Sequence, residues 1–242
     1  MADNPPVAAV VFDYGGVLTT PVRQSIAAWL EHDGIEPASF SRTLKAWLGR
    51  QAPEGTPIHR LETGELPVAE FERLFATELV TLSGTPVDPV GVLDRFFAGL
   101  RPEPRMYALA EELRACGVRV ALLSNSWGND YPRERLESLF DPVVISGEVG
   151  LRKPLPTVFE LTLERLGLAA AQVVLVDDAE PNVAGARAAG LRAVLHTDPA
   201  TTRAALVRLL PQLHRDPSAT GRPGLGAAPS AVRDDMTPPQ GE

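Results

Sequence analysis

The chain has 242 residues, 44% of them hydrophobic, and a formal net charge of -8 from 23 basic and 31 acidic residues. That is enough for one large domain or a domain carrying an insertion, and the acidic balance argues against a nucleic-acid or anionic-membrane partner. No apolar run approaches the roughly 20 residues that span a bilayer. Met1 to Pro6 is polar and proline-rich, without the charged lead and apolar core of a secretory signal. Cys116 is the single cysteine, so neither an intramolecular disulfide nor a zinc knuckle is expected. A cytoplasmic chain follows, with a flexible N-terminus over residues 1–6.

The first element is the apolar run Val7-Ala8-Ala9-Val10-Val11-Phe12, which predicts a strand buried on both faces of a parallel sheet. Asp13 closes it and opens onto Gly15 and Gly16, at the strand end where open α/β sheets bind ligands. From Pro21 to Leu100 the periodicity turns helical, with no strand. Apolar faces run through Ile26, Trp29 and Leu30, through Phe40, Leu44 and Trp47, through Phe71, Leu74 and Phe75, and through Leu93, Phe96 and Phe97. Gln51 to Pro57 reads as a loop. Helix and strand then alternate: helices at Met106–Ala115, Arg133–Phe140, Pro156–Leu166, Asn182–Ala189 and Thr201–Leu213, and strands at Val118–Leu123, Val143–Ile145, Val173–Val176 and Ala193–Leu195. This is the signature of βαβ units in a doubly wound parallel sheet. The expected division is a core of 7–20 and 101–213, a helical insertion at 21–100, and a polar, disordered tail at 214–242.

In such a sheet the residues just past each strand share one edge. Here they are Asp13, then Ser124-Asn125-Ser126, then Lys153 in a loop, then Asp177-Asp178. Taken singly, each fits a turn, a helix cap or a solvated loop as well as a site. Together they offer a carboxylate nucleophile, hydroxyl and amide donors, a cation and a carboxylate pair. Phosphoryl transfer calls for that set. A magnesium ion held by carboxylates and the ammonium of Lys153 offset the repulsion between Asp13 and a phosphate ester, and Ser124 holds phosphoryl oxygens. Attack by Asp13 then gives an acyl phosphate that water cleaves.

The residues resemble the haloacid dehalogenase-like (HAD) hydrolase superfamily, in the branch with a helical cap between its first two motifs. Phe12-Asp13-Tyr14-Gly15-Gly16-Val17-Leu18 is similar to the first motif and Leu123-Ser124-Asn125-Ser126 to the second. Gly147 to Pro156 is similar to the third, and Val176-Asp177-Asp178-Ala179-Glu180-Pro181-Asn182-Val183 to the fourth. Within the cap, Glu62-Thr63-Gly64-Glu65-Leu66 resembles the phosphatase domain of soluble epoxide hydrolases. The resemblance implies a Rossmann-like core and Asp13 as nucleophile. It also implies magnesium held by Asp13, the Gly15 carbonyl and Asp178, with Asp177 in support. Ser124 and Lys153 would hold the phosphoryl group, and Asn125 would flank it.

The chain departs from the superfamily at Gly15, where most of its phosphatases carry a second aspartate as acid and base. The expected function is a magnesium-dependent phosphatase of a small phosphorylated metabolite. Two other readings stay open: a hydrolytic dehalogenase, whose halide leaves without an acid, and a non-catalytic member that binds a phosphorylated ligand or a partner. Glu62 and Glu65 are the first candidates to supply a proton in place of Gly15. Trp127 and Tyr131, just after the second motif, either pack the core or face substrate. The four histidines show no ligand spacing, and neither the substrate nor the oligomeric state is encoded legibly.

Overall fold

A computed structural model describes residues 5–49, 51–128 and 130–214. The expected tail therefore lies outside the described residues except for His214, as does most of the N-terminal segment. The core is a five-stranded sheet of β1 (Ala9–Phe12), β2 (Arg119–Ser124), β3 (Val143–Ile145), β4 (Val173–Asp177) and β5 (Arg192–Leu195). All pairings are parallel and the spatial order is β3-β2-β1-β4-β5. Side chains alternate across it, as a pleat requires. Val10 and Phe12 of β1 join Val120 and Leu122 of β2 and Val174 and Val176 of β4 in one buried layer. Ala9, Val11, Ala121, Leu123, Val173 and Leu175 fill the other. Both faces are thus sealed, which is why the strands read as unbroken apolar runs.

Five helices follow β1 and precede the rest of the sheet: α1 (Val22–His32), α2 (Pro37–Leu48), α3 (Pro57–Glu62), α4 (Val68–Glu78) and α5 (Val92–Phe97). They form an all-helical cap with its own core of Trp29, Phe40, Phe71, Phe75 and Phe96, in which Trp29 lies within 6.0 Å of the Phe40, Phe75 and Phe96 ring centres. The chain enters and leaves the cap at one place, where Thr20 N donates to Arg101 O at 2.7 Å. We propose this crossing as the seam between a core of 7–20 and 101–213 and a cap of 21–100. The sheet is flanked by α6 (Pro104–Ala115), α7 (Arg133–Leu139), α8 (Ser146–Val149), α9 (Pro156–Leu166), α10 (Glu180–Ala188) and α11 (Pro199–Leu209). Among the described residues no helix is long and apolar enough to cross a membrane.

Three helices start about two residues earlier than periodicity alone predicts, at Pro104, Glu180 and Pro199. Each has proline in its first positions, where the missing N–H has no intrahelical partner to lose. The last ends at Leu209 rather than Leu213, and Pro211 to His214 forms a 3-10 turn. Periodicity missed α3 and α8 outright. At six and four residues they are too short to repeat an apolar face. Thr56 caps α3 by accepting from His59 N at 3.3 Å, with Pro57 opening the helix.

The turn leaving β1 is specified by Gly16. Its φ is 74°, its N–H bonds Thr19 Oγ1 at 2.9 Å, and an added Cβ would stand 2.2 Å from Asp178 Oδ2. Gly15 differs: its backbone is outside the left-handed region and a Cβ there would meet only Val22 Cγ2, at 3.6 Å. Gly16→Ala is therefore expected to lose more than about 1 kcal/mol in urea unfolding, while Gly15→Ala stays within about 0.5 kcal/mol of the parent. The opposite order would contradict this account of the turn.

Candidate active site

The predicted residues meet at the carboxyl edge of the sheet, where the strand order reverses around β1. Asp13 leaves β1 beside the end of β4, its N–H bonded to Val176 O at 2.9 Å. Lys153 reaches this edge from the loop between α8 and α9, with its side chain fully buried. Its Nζ donates to Leu123 O at 2.9 Å and to Asp177 Oδ2 at 2.6 Å, and pairs with Asp13 Oδ1 at 2.8 Å. Three donors meet three acceptors, so the ammonium is saturated. Asp13 Oδ1 also accepts from Tyr14 N at 2.7 Å.

The remaining residues hold this group in place. Asn125 clamps the lysine loop at both ends of its amide, donating to Lys153 O at 3.0 Å and accepting from Lys153 N at 2.9 Å. Much of its capacity is therefore spent on the loop. Asp177 is fully buried, and its Oδ1 accepts from Ala179 N at 2.9 Å and from Asn182 Nδ2 at 3.0 Å. Asp178 is exposed. Ser124 Oγ is 2.9 Å from the Tyr131 hydroxyl, and the Tyr131 ring lies 4.9 Å from that of Tyr14. Sequence reasoning assigned no role to Asn182. The signal for it was its position five residues after Asp177, in the first turn of α10.

Asp13, Asp177 and Asp178 each offer a carboxylate oxygen, all within 4.8 Å of one another, the sole such acidic or histidine cluster among the described residues. Burial pushes the Asp13 carboxyl up to about 7. The Lys153 ammonium opposes this, while the charges of Asp177 and Asp178 add to it. For Lys153, burial works against the charge, but Asp13 and Asp177 override it and hold the ammonium above its usual range. Three carboxylates thus face one cation. Such an all-oxygen donor set, with a surplus of negative charge, fits a hard divalent ion. Gly15 lines the same cleft, and its carbonyl accepts no hydrogen bond among the described residues.

Above this charged floor lies a cavity of about 280 Å³ between core and cap. Glu62, at the end of α3, joins the two. Its Oε1 accepts from Trp127 Nε1 at 2.9 Å, its Oε2 pairs with Arg152 Nε at 2.5 Å, and its carbonyl accepts from Ser146 Oγ at 2.5 Å. Gly64 touches Gly147 so closely that a Cβ would stand 2.5 Å from the Gly147 carbonyl. With both oxygens engaged, Glu62 is held as an acceptor, and Glu65 is exposed outside the cavity lining. Trp127 stacks 5.7 Å from Phe96 and also lines the cavity. His196 Nδ1 is 2.8 Å from Thr202 Oγ1, and its backbone N–H donates to Asp177 O.

Comparison with known proteins gives the family. A phosphatase of Mycobacterium tuberculosis is 30% identical over 84% of this chain and 93% of its own length. The phosphoserine phosphatase of Thermus thermophilus is 38% identical over 51% of this chain, a match that spans about half of that protein (53%). A HAD family enzyme of Bacteroides thetaiotaomicron, solved as a magnesium complex, superposes with a TM-score of 0.60 at 20% identity, over 80% of this chain and 94% of that one. The haloacid dehalogenase-like hydrolase family model matches residues 7–190, so the chain belongs to that family and is a hydrolase.

Proposed function

We propose that this hydrolase is a cytoplasmic, magnesium-dependent phosphatase of a small phosphorylated metabolite, acting through an aspartyl phosphate on Asp13. The observation that carries the reading is a buried carboxylate, 2.8 Å from a saturated ammonium and clustered with two more carboxylates at the foot of a cavity. The relatives named as phosphatases support it. Asp13, Asp178 and the Gly15 carbonyl, with Asp177 in support, would hold a magnesium ion, whose charge offsets the repulsion between carboxylate and phosphate ester.

Tyr14 N and Lys153 Nζ both bind Asp13 Oδ1, which leaves Oδ2 to attack. The Oδ2–P bond forms as the bond from phosphorus to the leaving oxygen breaks, and that oxygen departs with the electron pair. Lys153 stabilises charge on the phosphoryl group, and Ser124, steadied by Tyr131, offers a hydrogen bond to it. Water then attacks phosphorus, the Oδ2–P bond breaks, and Asp13 and inorganic phosphate are released. Gly15 provides no acid for the leaving oxygen, and Glu62 is committed to Trp127 and Arg152. The same absence would suit a dehalogenase, whose halide needs no proton. That chemistry needs no metal, however, and so gives no role to the exposed Asp178 carboxylate beside Asp13.

Asp13→Asn should stay folded, because Asp177 still neutralises Lys153, and should lower kcat for an aryl phosphate by at least about a thousandfold. Turnover within tenfold of the parent would rule out the covalent mechanism. Because Gly15 tolerates a Cβ, Gly15→Asp should fold. A positioned acid contributes about 10² to 10⁴ in rate, most for basic leaving groups, so this variant should raise alkyl phosphate turnover at least about tenfold more than aryl turnover. Equal parent rates on alkyl and aryl phosphates would mean that another group donates the proton.

A further inference from the structure

The cavity over Asp13 has two unlike halves. Its floor carries Asp13, Ser124, Lys153 and Asp178, while its walls include Val22 and Ile26 of α1, Leu44 of α2, Phe97 at the end of α5, Leu100 just beyond it, and Trp127. Among the described residues that line it Lys153 is the only cation, and its three donors are spent on Asp13, Asp177 and Leu123 O. Of the other polar linings, Asn182 is engaged by Asp177, Asn125 by the Lys153 backbone, and Glu62 by Trp127 and Arg152. Arg152 itself is not among the residues lining the cavity.

From this juxtaposition we infer that the leaving half of the substrate is apolar and bears no second anionic group. The inference rests on the phosphatase reading of the floor. A ligand tail entering between the walls loses water wherever it meets them. An apolar tail recovers this by covering apolar surface. A carboxylate or second phosphate would give up its hydration with no free cation to receive it, and would face the Glu62 carboxylate. The cap thus selects by withholding a counter-charge, and discrimination of this kind is strong because the penalty falls on an unpaired buried charge.

The test is calorimetric binding of three phosphonates, which cannot turn over, to the magnesium-loaded full chain: benzylphosphonate, 2-naphthylmethylphosphonate and 3-carboxybenzylphosphonate. The naphthyl compound is expected to bind tightest, and the carboxy compound at least tenfold more weakly than benzylphosphonate. Leu44→Arg, which places a cation in the wall, should improve binding of the carboxy compound at least tenfold relative to the benzyl one. Ile26→Lys provides the same change from α1 if the first variant does not fold. Equal or tighter binding of the carboxy compound by the parent would overturn the inference. The expected order of binding, combined with no phosphate release from the matching aryl phosphates, would support the inference while overturning the phosphatase reading.

Discussion

A lysine ammonium sealed from water has to be neutralised where it sits, and the rest of this site follows from that requirement. Lys153 has no exposed side-chain surface, and its partners come from three strand ends: Asp13 after β1, Leu123 O in β2 and Asp177 closing β4. Removing one partner from a buried ion pair generally costs about 3–5 kcal/mol, because the other charge is stranded. The lysine therefore ties the carboxylates to the sheet as firmly as it serves any ligand. Asn125 fixes the loop that delivers it, and Asn182 fixes the face of Asp177 that it does not touch. The surplus negative charge left over is what suits the cluster to the cation we propose there.

The second dependency is the joint between cap and core. A helical cap with its own aromatic core could swing freely on two crossing strands of chain. Here it is pinned at Glu62, which binds Trp127 and Arg152 through its side chain and Ser146 through its carbonyl. The pinning sets the height of the cavity roof and brings the apolar faces of α1, α2 and α5 over the charged floor. The same residues that hold the cap in place thus give the cavity its contrast between a charged base and apolar walls.

Most of the fold was legible because its signals are local. Strands sealed on both faces read as apolar runs, and Asp13, Ser124 and Asp177 stood at their ends before any topology was known. The four motifs and the cap segment around Gly64 also pointed to the right family. What the sequence hid is spatial. Nothing in the chain pairs Glu62 with Arg152, 90 residues later, although both lie in segments recognised as motifs. Asn125 looked like a flanking donor for phosphate, yet its amide is engaged by the lysine loop. Substrate preference was unreadable because the cavity wall collects single residues from separate helices, and each of them looks like ordinary cap core in its own stretch of sequence.

The central claim is that the three aspartates form a metal site, and titration of magnesium into the full chain by calorimetry tests it most directly. The account predicts saturable binding of one ion per chain to the parent, and loss of that binding in Asp178→Asn with the fold retained. No binding to the parent at millimolar magnesium, or undiminished binding to Asp178→Asn, would contradict it.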